Sequence, residues 1–277
     1  MSTVINTNYA AVLSQKNLDT VQRAMDRSIE RLSSGLRINS ARDDAAGMAI
    51  AGRMESQIRG LRASVRNAKD AQSLVSTAEG AMNEITEILQ RMRELAVQAA
   101  SGVATSVDKD YLDLEMTQLV NEIDAIAANT KFNDQAILQG SVFSFYSDID
   151  VSGTVIQTPA IGMATSTLTV QATDVNIDNQ ASAILLASAI ADIDAAIVSV
   201  DSKRANLGAI SNRLDHTVDN LTNIIMNTIA SKSRIEDADF AQETTEMTRN
   251  SVLQQAATSM LAQANASKQL ILQLIQQ

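Results

Sequence analysis

The sequence contains no cysteine, no tryptophan and a single proline, and aromatic residues make up only 3% of its 277 positions. Without cysteine, the chain can form neither disulfides nor thiolate sites. With so few aromatic side chains, it cannot build the aromatic-rich core of a compact globule. Alanine, leucine, isoleucine, glutamine and asparagine are frequent instead, and this composition favours long helices over a mixed fold.

Further absences exclude several classes of function. The formal net charge of −10 argues against a nucleic-acid or anionic-membrane partner, because both require a basic surface. With one histidine and no cysteine, no Cys/His dyad or zinc-type cluster can be assembled. We therefore expect His216 to be a solvated surface residue, and we predict that the protein is not an enzyme and holds no metal or cofactor.

The chain also lacks membrane and secretion signals. No apolar run is long enough to span a bilayer, so we expect no membrane insertion. The opening stretch, MSTVINTNYAAVLSQKNLDT, has no basic segment followed by an apolar one, which predicts that there is no cleavable signal peptide.

Both ends of the chain carry apolar residues spaced alternately three and four positions apart. This spacing places one apolar seam along a long helix, as in a coiled coil. Such seams must be buried against each other or against other copies of the chain, which predicts a self-assembling structural protein. The seam residues are Leu18, Val21, Met25, Ser28 and Leu32 near one end, and Leu253, Ala257, Met260, Ala264, Ser267, Ile271 and Leu274 near the other.

The interior is also predicted to be largely helical. A wide apolar stripe runs over 45–100, and a second helix follows a loop at 101–108. Ser40 and Asp43 fit a capping box that starts the first of these helices. Asn133 and Asp134 tolerate turn conformations that most residues avoid. Helical periodicity returns over 181–230, where two polar positions, Arg204 and Ser211, interrupt the apolar seam and favour one register.

Residues 141–180 differ in character from the rest of the chain. This stretch has no lysine or arginine, holds the single proline, Pro159, and alternates apolar with polar residues in places. Such alternation predicts short β-hairpins. We expect a short exposed insertion whose serine and threonine residues are candidate O-glycan acceptors. The predicted fold is therefore mainly α: a long antiparallel helical hairpin or coiled-coil bundle with paired terminal helices and a small β-hairpin tip.

Several motifs resemble those of bacterial flagellins. They stand in the same order as in that family, and the resemblance covers roughly 1–140 and 181–277. The motifs are Ile5–Asn8 (INTN), Arg31–Ile50 (RLSSGLRINSARDDAAGMAI), Gln90–Ala100 (QRMRELAVQAA), Leu207–Leu214 (LGAISNRL), Ser233–Thr244 (SRIEDADFAQET) and Leu253–Asn265 (LQQAATSMLAQAN).

The resemblance implies a subunit of the flagellar filament, exported to the cell exterior and polymerised with copies of itself. It further implies an export chaperone on the C-terminal segment, and contacts with the filament's cap and junction proteins. Five segments are expected: 1–44 as an N-terminal inner-tube helix, 45–140 as one half of a helical core, 141–180 as the exposed insertion, 181–236 as the other half of the core, and 237–277 as a C-terminal inner-tube helix.

The resemblance also maps three residues onto the surface that a vertebrate flagellin-sensing Toll-like receptor binds. Arg91 and Leu95 lie four positions apart and so share one helix face, and Glu115 lies on the following helix. The same residues are candidates for axial contacts between subunits, and Leu95 also belongs to a core seam.

Two alternatives remain open from the sequence. A flagellar hook-filament junction protein shares the terminal seams but usually differs in the central motifs, and the intact QRMRELAVQAA and SRIEDADF motifs favour the main subunit. Another secreted or signalling helical coiled coil, such as a chemoreceptor-like hairpin, would require a membrane anchor or tighter heptads.

Overall fold

The computed structural model describes residues 7–146, 155–178 and 183–275. The helices are α1 (Tyr9–Ser34), α2 (Ala45–Ala99), α3 (Ser106–Asn129), α4 (Thr165–Leu168), α5 (Ala183–Glu236) and α6 (Phe240–Ile275). The strands are β1 (Lys131–Phe132), β2 (Gln135–Ala136), β3 (Ser144–Tyr146) and β4 (Val155–Gln157). The chain forms two compact units: Met1–Ile58 with Met226–Gln277, and Arg59–Ile225. The predicted mainly α fold with long packed helices and a small β element is confirmed.

In the first unit, α1 and α6 pack side by side and run antiparallel. The amide of Asn8 donates to the carbonyl of Ala264 over 3.0 Å, and Arg31 pairs with Glu243 near the opposite end of the two helices over 2.9 Å. Asn8 also begins α1, because its side-chain oxygen accepts from the N–H of Ala11. The predicted pairing of the terminal helices is confirmed.

The breaks that end α1 and begin α6 are hydrogen-bonded to each other. Gly35 adopts a left-handed conformation (φ 73°) that ends α1, and its N–H donates to the Arg31 carbonyl over 2.8 Å. The next residues form an isolated antiparallel bridge, Leu36 with Asp237, beside which the Ala238 N–H donates to the Gly35 carbonyl over 3.0 Å. The joint between α5 and α6 therefore lies at 237–239.

The start of α2 corrects a prediction. Asp44, directly before the first helical residue, accepts from the N–H of Gly47 over 2.8 Å and thereby caps the helix. The predicted cap, Ser40, instead closes a local turn in which its N–H and hydroxyl donate to Asp43. The Ser40 hydroxyl thereby holds the pKa of Asp43 below its usual value. Ser40 is too far from the helix start to cap it.

In the second unit, α2 carries a strict heptad seam. Its buried positions alternate between spacings of three and four, which favours a left-handed supercoil with the facing helix. The seam residues are Leu61, Ser64, Ala68, Ala71, Val75, Ala78, Met82, Ile85, Leu89, Met92, Ala96 and Ala99. Side-chain bonds of Gln72 to Asp215 and of Arg93 to Asp194 show that α5 runs antiparallel to α2.

The buried residues of α5 also follow spacings of three and four. Its buried residues are Leu186, Ala189, Ile193, Ala196, Val200, Leu207, Leu214 and Leu221. The position between Val200 and Leu207 in this spacing is Lys203, one residue before the predicted polar interruption at Arg204. Arg204 and Ser211 are half-buried beside the seam.

Turn chemistry sets the ends of α3. Thr105 and Asp108 form a reciprocal capping box at its start. Beyond its end, Asn133 and Asp134 both have positive φ (49° and 63°) and form the two-residue turn between the antiparallel strands β1 and β2. The prediction that these two residues occupy a turn is confirmed.

The segment after β4 is packed into the core of the second unit, which contradicts the exposure predicted for the whole of 141–180. The β3–β4 hairpin exists in antiparallel register, but only three residues of each strand take part. Six apolar side chains beyond it are buried among α2, α3 and α5: Ile161, Met163, Leu168, Val170, Val175 and Ile177. We call residues 158–178 the strap. Residues 147–154 and 179–182 lie outside the described part, so their predicted exposure stays a prediction.

Candidate functional site

The α1–α6 pair leaves part of its apolar surface uncovered. Leu18, Val21, Met25 and Leu32 are half-buried on the side of α1 that faces α6. Other large apolar side chains of α1 remain exposed, among them Val12, Leu13 and Ile29. The side chains of α1 thus divide between contact with α6 and an outward surface.

The predicted seam of α6 is divided in the same way. Ala257 and Ala264 are half-buried in the pair with α1. Leu253 and Met260 are 44% and 63% exposed, so they are available for contacts outside it. Ile271 and Leu274 fall where the structure describes no side chains.

The fully buried residues in the contact between α1 and α6 are polar. Ser28, Glu243 and Asn250 are the buried residues of these two helices within the described ranges. The Glu243 carboxylate accepts from Arg31, and its side chain is only 11% exposed. A buried carboxylate requires such a partner, because an isolated buried charge is costly. The ion pair between Arg31 and Glu243 therefore favours one register of the two helices.

Arg91 and Glu115 are in direct contact. Nη2 of Arg91 lies 2.8 Å from Oε1 of Glu115, and Nη1 lies 3.1 Å from Oε2 of Glu94. Hydrogen bonding to Glu115 raises the pKa of Arg91. Leu95, in contrast, is 0% exposed. The prediction that Leu95 belongs to a core seam is confirmed, and of the three residues mapped onto the receptor surface Arg91 and Glu115 are exposed while Leu95 is buried.

Three polar side chains that the sequence did not single out attach the strap to the helices. Asp124 accepts from the N–H and hydroxyl of Thr165, and Asp113 accepts from the N–H of Ile177 over 3.1 Å. Nζ of Lys203 donates to the carbonyl of Gly162 over 2.6 Å, and burial lowers the pKa of this lysine. Lys203 could have been found from the sequence, because it occupies a heptad core position where a lysine needs a partner.

Nothing catalytic is assembled in the described ranges. His216 is exposed on α5. Across the described ranges, no three His, Asp or Glu side chains converge in a way that could hold a metal ion. None of the described helices combines the length and the hydropathy needed to cross a membrane.

Comparisons with known protein families match most of both helical halves of the chain. Residues 5–142 match the bacterial flagellin N-terminal helical region, and residues 190–275 match the bacterial flagellin C-terminal helical region. The chain belongs to the bacterial flagellin family. A flagellin of Halalkalibacterium halodurans is 42% identical over 98% of this chain and 99% of its own length. A flagellin of Bacillus subtilis is 38% identical, again over 98% of this chain and 99% of its own length.

Among solved structures, a Vibrio parahaemolyticus protein described as flagellar hook-associated aligns with a TM-score of 0.61 and 13% identity. The alignment covers 70% of this chain and 100% of that one, and at this identity it supports the fold alone. Membership of the flagellin family establishes a structural subunit of the flagellar filament and not an enzyme.

Proposed function

We propose that the chain polymerises through the apolar side chains that α1 and α6 leave exposed. The observation that carries this proposal is the division of each terminal helix into a half-buried side and an outward apolar side. Leu18, Val21, Met25, Leu32, Ala257 and Ala264 support the pair within one subunit. Leu253 and Met260, together with Ile271 and Leu274, would be buried between subunits.

The energetics favour burial between copies. Fully burying one large aliphatic side chain contributes about 1.5–3 kcal/mol. Each terminal helix exposes several such side chains, among them Val12, Ile29, Val252, Leu253 and Met260. In an inner tube of many copies, these contributions recur in every subunit, which suits an open, heterologous assembly.

The test is electron microscopy of the purified protein and of a Leu253→Asp variant after induced association. We expect tubes from the unmodified protein and none from the variant, because the substitution would bury a carboxylate without a partner. Gln255→Asp is the matched control, because Gln255 is an exposed polar position on the same helix. Normal tubes from Leu253→Asp would refute the proposed contact.

The segment boundaries belong to the same proposal. We assign 1–44 and 237–277 to an inner tube, and 45–140 and 181–236 to the helical core around it. The ends of α1 at Ser34 and of α5 at Glu236 support these divisions. For the insertion, we restrict the proposed exposure and possible O-glycosylation to the part before the strap.

The partners that the family resemblance implies are proposed here too. An export chaperone that covers the apolar outward side of α6 would prevent premature polymerisation, and cap and junction proteins would use the same terminal helices. We also propose export without a cleavable signal peptide. Co-purification of the chaperone with the full chain but not with a chain truncated after 239 would support the first of these contacts.

The receptor contact is proposed for Arg91 and Glu115, with Leu95 as a residue that positions them from beneath. The exposure of the Arg91 and Glu115 side chains, at 48% and 44%, supports direct contact with a partner. Because Leu95 is buried, its substitution would act through the packing of α2.

A further inference from the structure

Four cationic side chains form a row along the outward side of α2. Arg59, Arg62, Arg66 and Lys69 follow at alternating spacings of three and four residues, and all four are exposed. Because an α-helix has 3.6 residues per turn, this spacing aligns them along about 15 Å of the helix. No acid lies between Arg59 and Lys69, and Asp70 directly follows the row. We call the four residues the basic group.

The same helix carries the opposite charge further along. Glu79, Glu84, Glu87 and Glu94 are all exposed and form what we call the acidic group. Two cations lie nearby, and both are paired within the chain: Arg93 with Asp194, and Arg91 with Glu115 and with Glu94 of the acidic group itself, so Glu79, Glu84 and Glu87 carry the acidic half. The outward side of α2 is therefore positive in one half and negative in the other.

The two groups cannot neutralise each other within one copy. Their centres are about 30 Å apart along a continuous helix, at 1.5 Å per residue. Within the described residues, Arg62, Arg66 and Lys69 take part in no ion pair. Between the two groups, this side of α2 carries small, uncharged residues, Ser73, Ser76 and Gly80. Another backbone can therefore approach the helix closely there.

We propose that this side of α2 is a contact surface for a second copy of the chain. The basic group of one copy lies against the acidic group of a neighbour that is displaced lengthwise by about 30 Å. This inference rests on the proposed polymerisation. Each contact uses the positive half of one copy and the negative half of another, so every copy keeps one half of each sign for the next neighbour. The contact is thus heterologous and open, as a growing filament requires.

Charge reversal provides the test. A variant with Arg62→Glu and Arg66→Glu presents two acidic halves, and a variant with Glu84→Lys and Glu87→Lys presents two basic halves. We expect the pelleted polymer of each variant alone to fall at least about tenfold, because like charges then face each other. An equimolar mixture should recover polymer, because each half of one variant is complementary to the other variant.

Arg213→Glu is the control, since it reverses an exposed arginine on α5 and should polymerise like the unmodified protein. Circular dichroism of every variant verifies the helical fold. Undiminished polymer from both variants would overturn this contact while leaving the proposed function intact. Loss in both without recovery in the mixture would also overturn it, because complementary charges would then not restore the contact. A lack of polymer from the unmodified protein would instead refute the proposed function.

Discussion

Arg91 is bonded within the chain before any partner arrives. Its guanidinium reaches Glu94 and Glu115, so a receptor that binds it must accept or replace these carboxylates. We expect Arg91→Ala to lower the potency of the monomer on reporter cells by about tenfold, the effect of losing a charge-assisted hydrogen bond. Thermal unfolding should change little, because exposed ion pairs contribute little to stability.

Leu95→Ala is the informative comparison. It removes a buried side chain, which typically costs about 2–5 kcal/mol of stability. Its thermal unfolding temperature should therefore fall clearly, and any loss of receptor potency should follow that destabilisation. A stable Leu95→Ala variant would contradict the buried position of this side chain. Unchanged potency of Arg91→Ala would refute the receptor contact.

Lys203 makes stability depend on pH. Burial lowers its pKa below the ordinary value of 10.5, so the unfolded chain binds this proton more tightly than the folded chain does. The charged lysine therefore lowers the free energy of unfolding at low pH. This loss is recovered as pH rises from the lowered pKa towards 10.5. Lys203→Met removes this dependence.

The measurement is thermal unfolding of the parent and of Lys203→Met at about pH 7 and about pH 10. The unfolding temperature of Lys203→Met, relative to that of the parent, should be higher at the lower pH than at the higher pH. Lys69→Met, at an exposed position, should show no such difference. A constant difference between Lys203→Met and its parent at both pH values would contradict the burial of the charge.

Among the elements, the start of α2 depends on close approach at Gly47. A Cβ at this position would lie 2.4 Å from Oδ2 of Asp44 and 2.7 Å from Cδ1 of Ile38. Gly47→Ala should displace the Asp44 cap and destabilise the chain by about 1 kcal/mol or more. Gly52→Ala is the matched control, because nothing lies within 4 Å of its added Cβ. That substitution should stabilise the helix by about 0.5–1 kcal/mol.

Both variants can be compared by chemical denaturation. Equal changes in stability for the two substitutions would show that the close approach of Gly47 to Asp44 and Ile38 does not determine the stability of the α2 start.

At the scale of elements, the spacing of apolar residues predicted the regular elements but not the irregular ones. The long helices follow from the alternating spacing of three and four, and the turn at Asn133 follows from residues that tolerate positive φ. The strap has no such period, so the burial of Ile161 and Met163 could not be inferred from it. The cap at Asp44 was missed because Ser40 offered an equally good local pattern.

The candidate site shows a second limit of sequence reasoning. A net charge is an average, and the value of −10 concealed a row of cations on one side of α2. The apolar spacing of α6 identified Leu253 and Ala257 as one seam. Ala257 faces α1, however, while Leu253 is exposed. Spacing alone could not divide the seam between the partner helix and the outward surface.

For the molecule as a whole, we expect the first unit to be much less resistant to protease than the second. The buried residues of α1 and α6 are polar, whereas the second unit buries a continuous apolar core. Limited digestion of the monomer should trim both ends to a core near 45–236, because segments with few buried apolar contacts open easily. Polymerised protein should resist trimming under the same conditions. Resistance of residues 240–275 in the monomer would contradict this expectation.

The pairing of α1 with α6 has a consequence for the timing of folding. Asn8 bonds to Ala264, a partner 256 positions away along the chain. By contrast, α2 and α3 make local contacts such as Arg91 with Glu115, only 24 positions apart. Local contacts form early and distant ones late, because closing a long loop costs entropy. α1 and α6 can pair only when both ends of the chain are available. The end that becomes available last therefore determines when the subunit finishes folding.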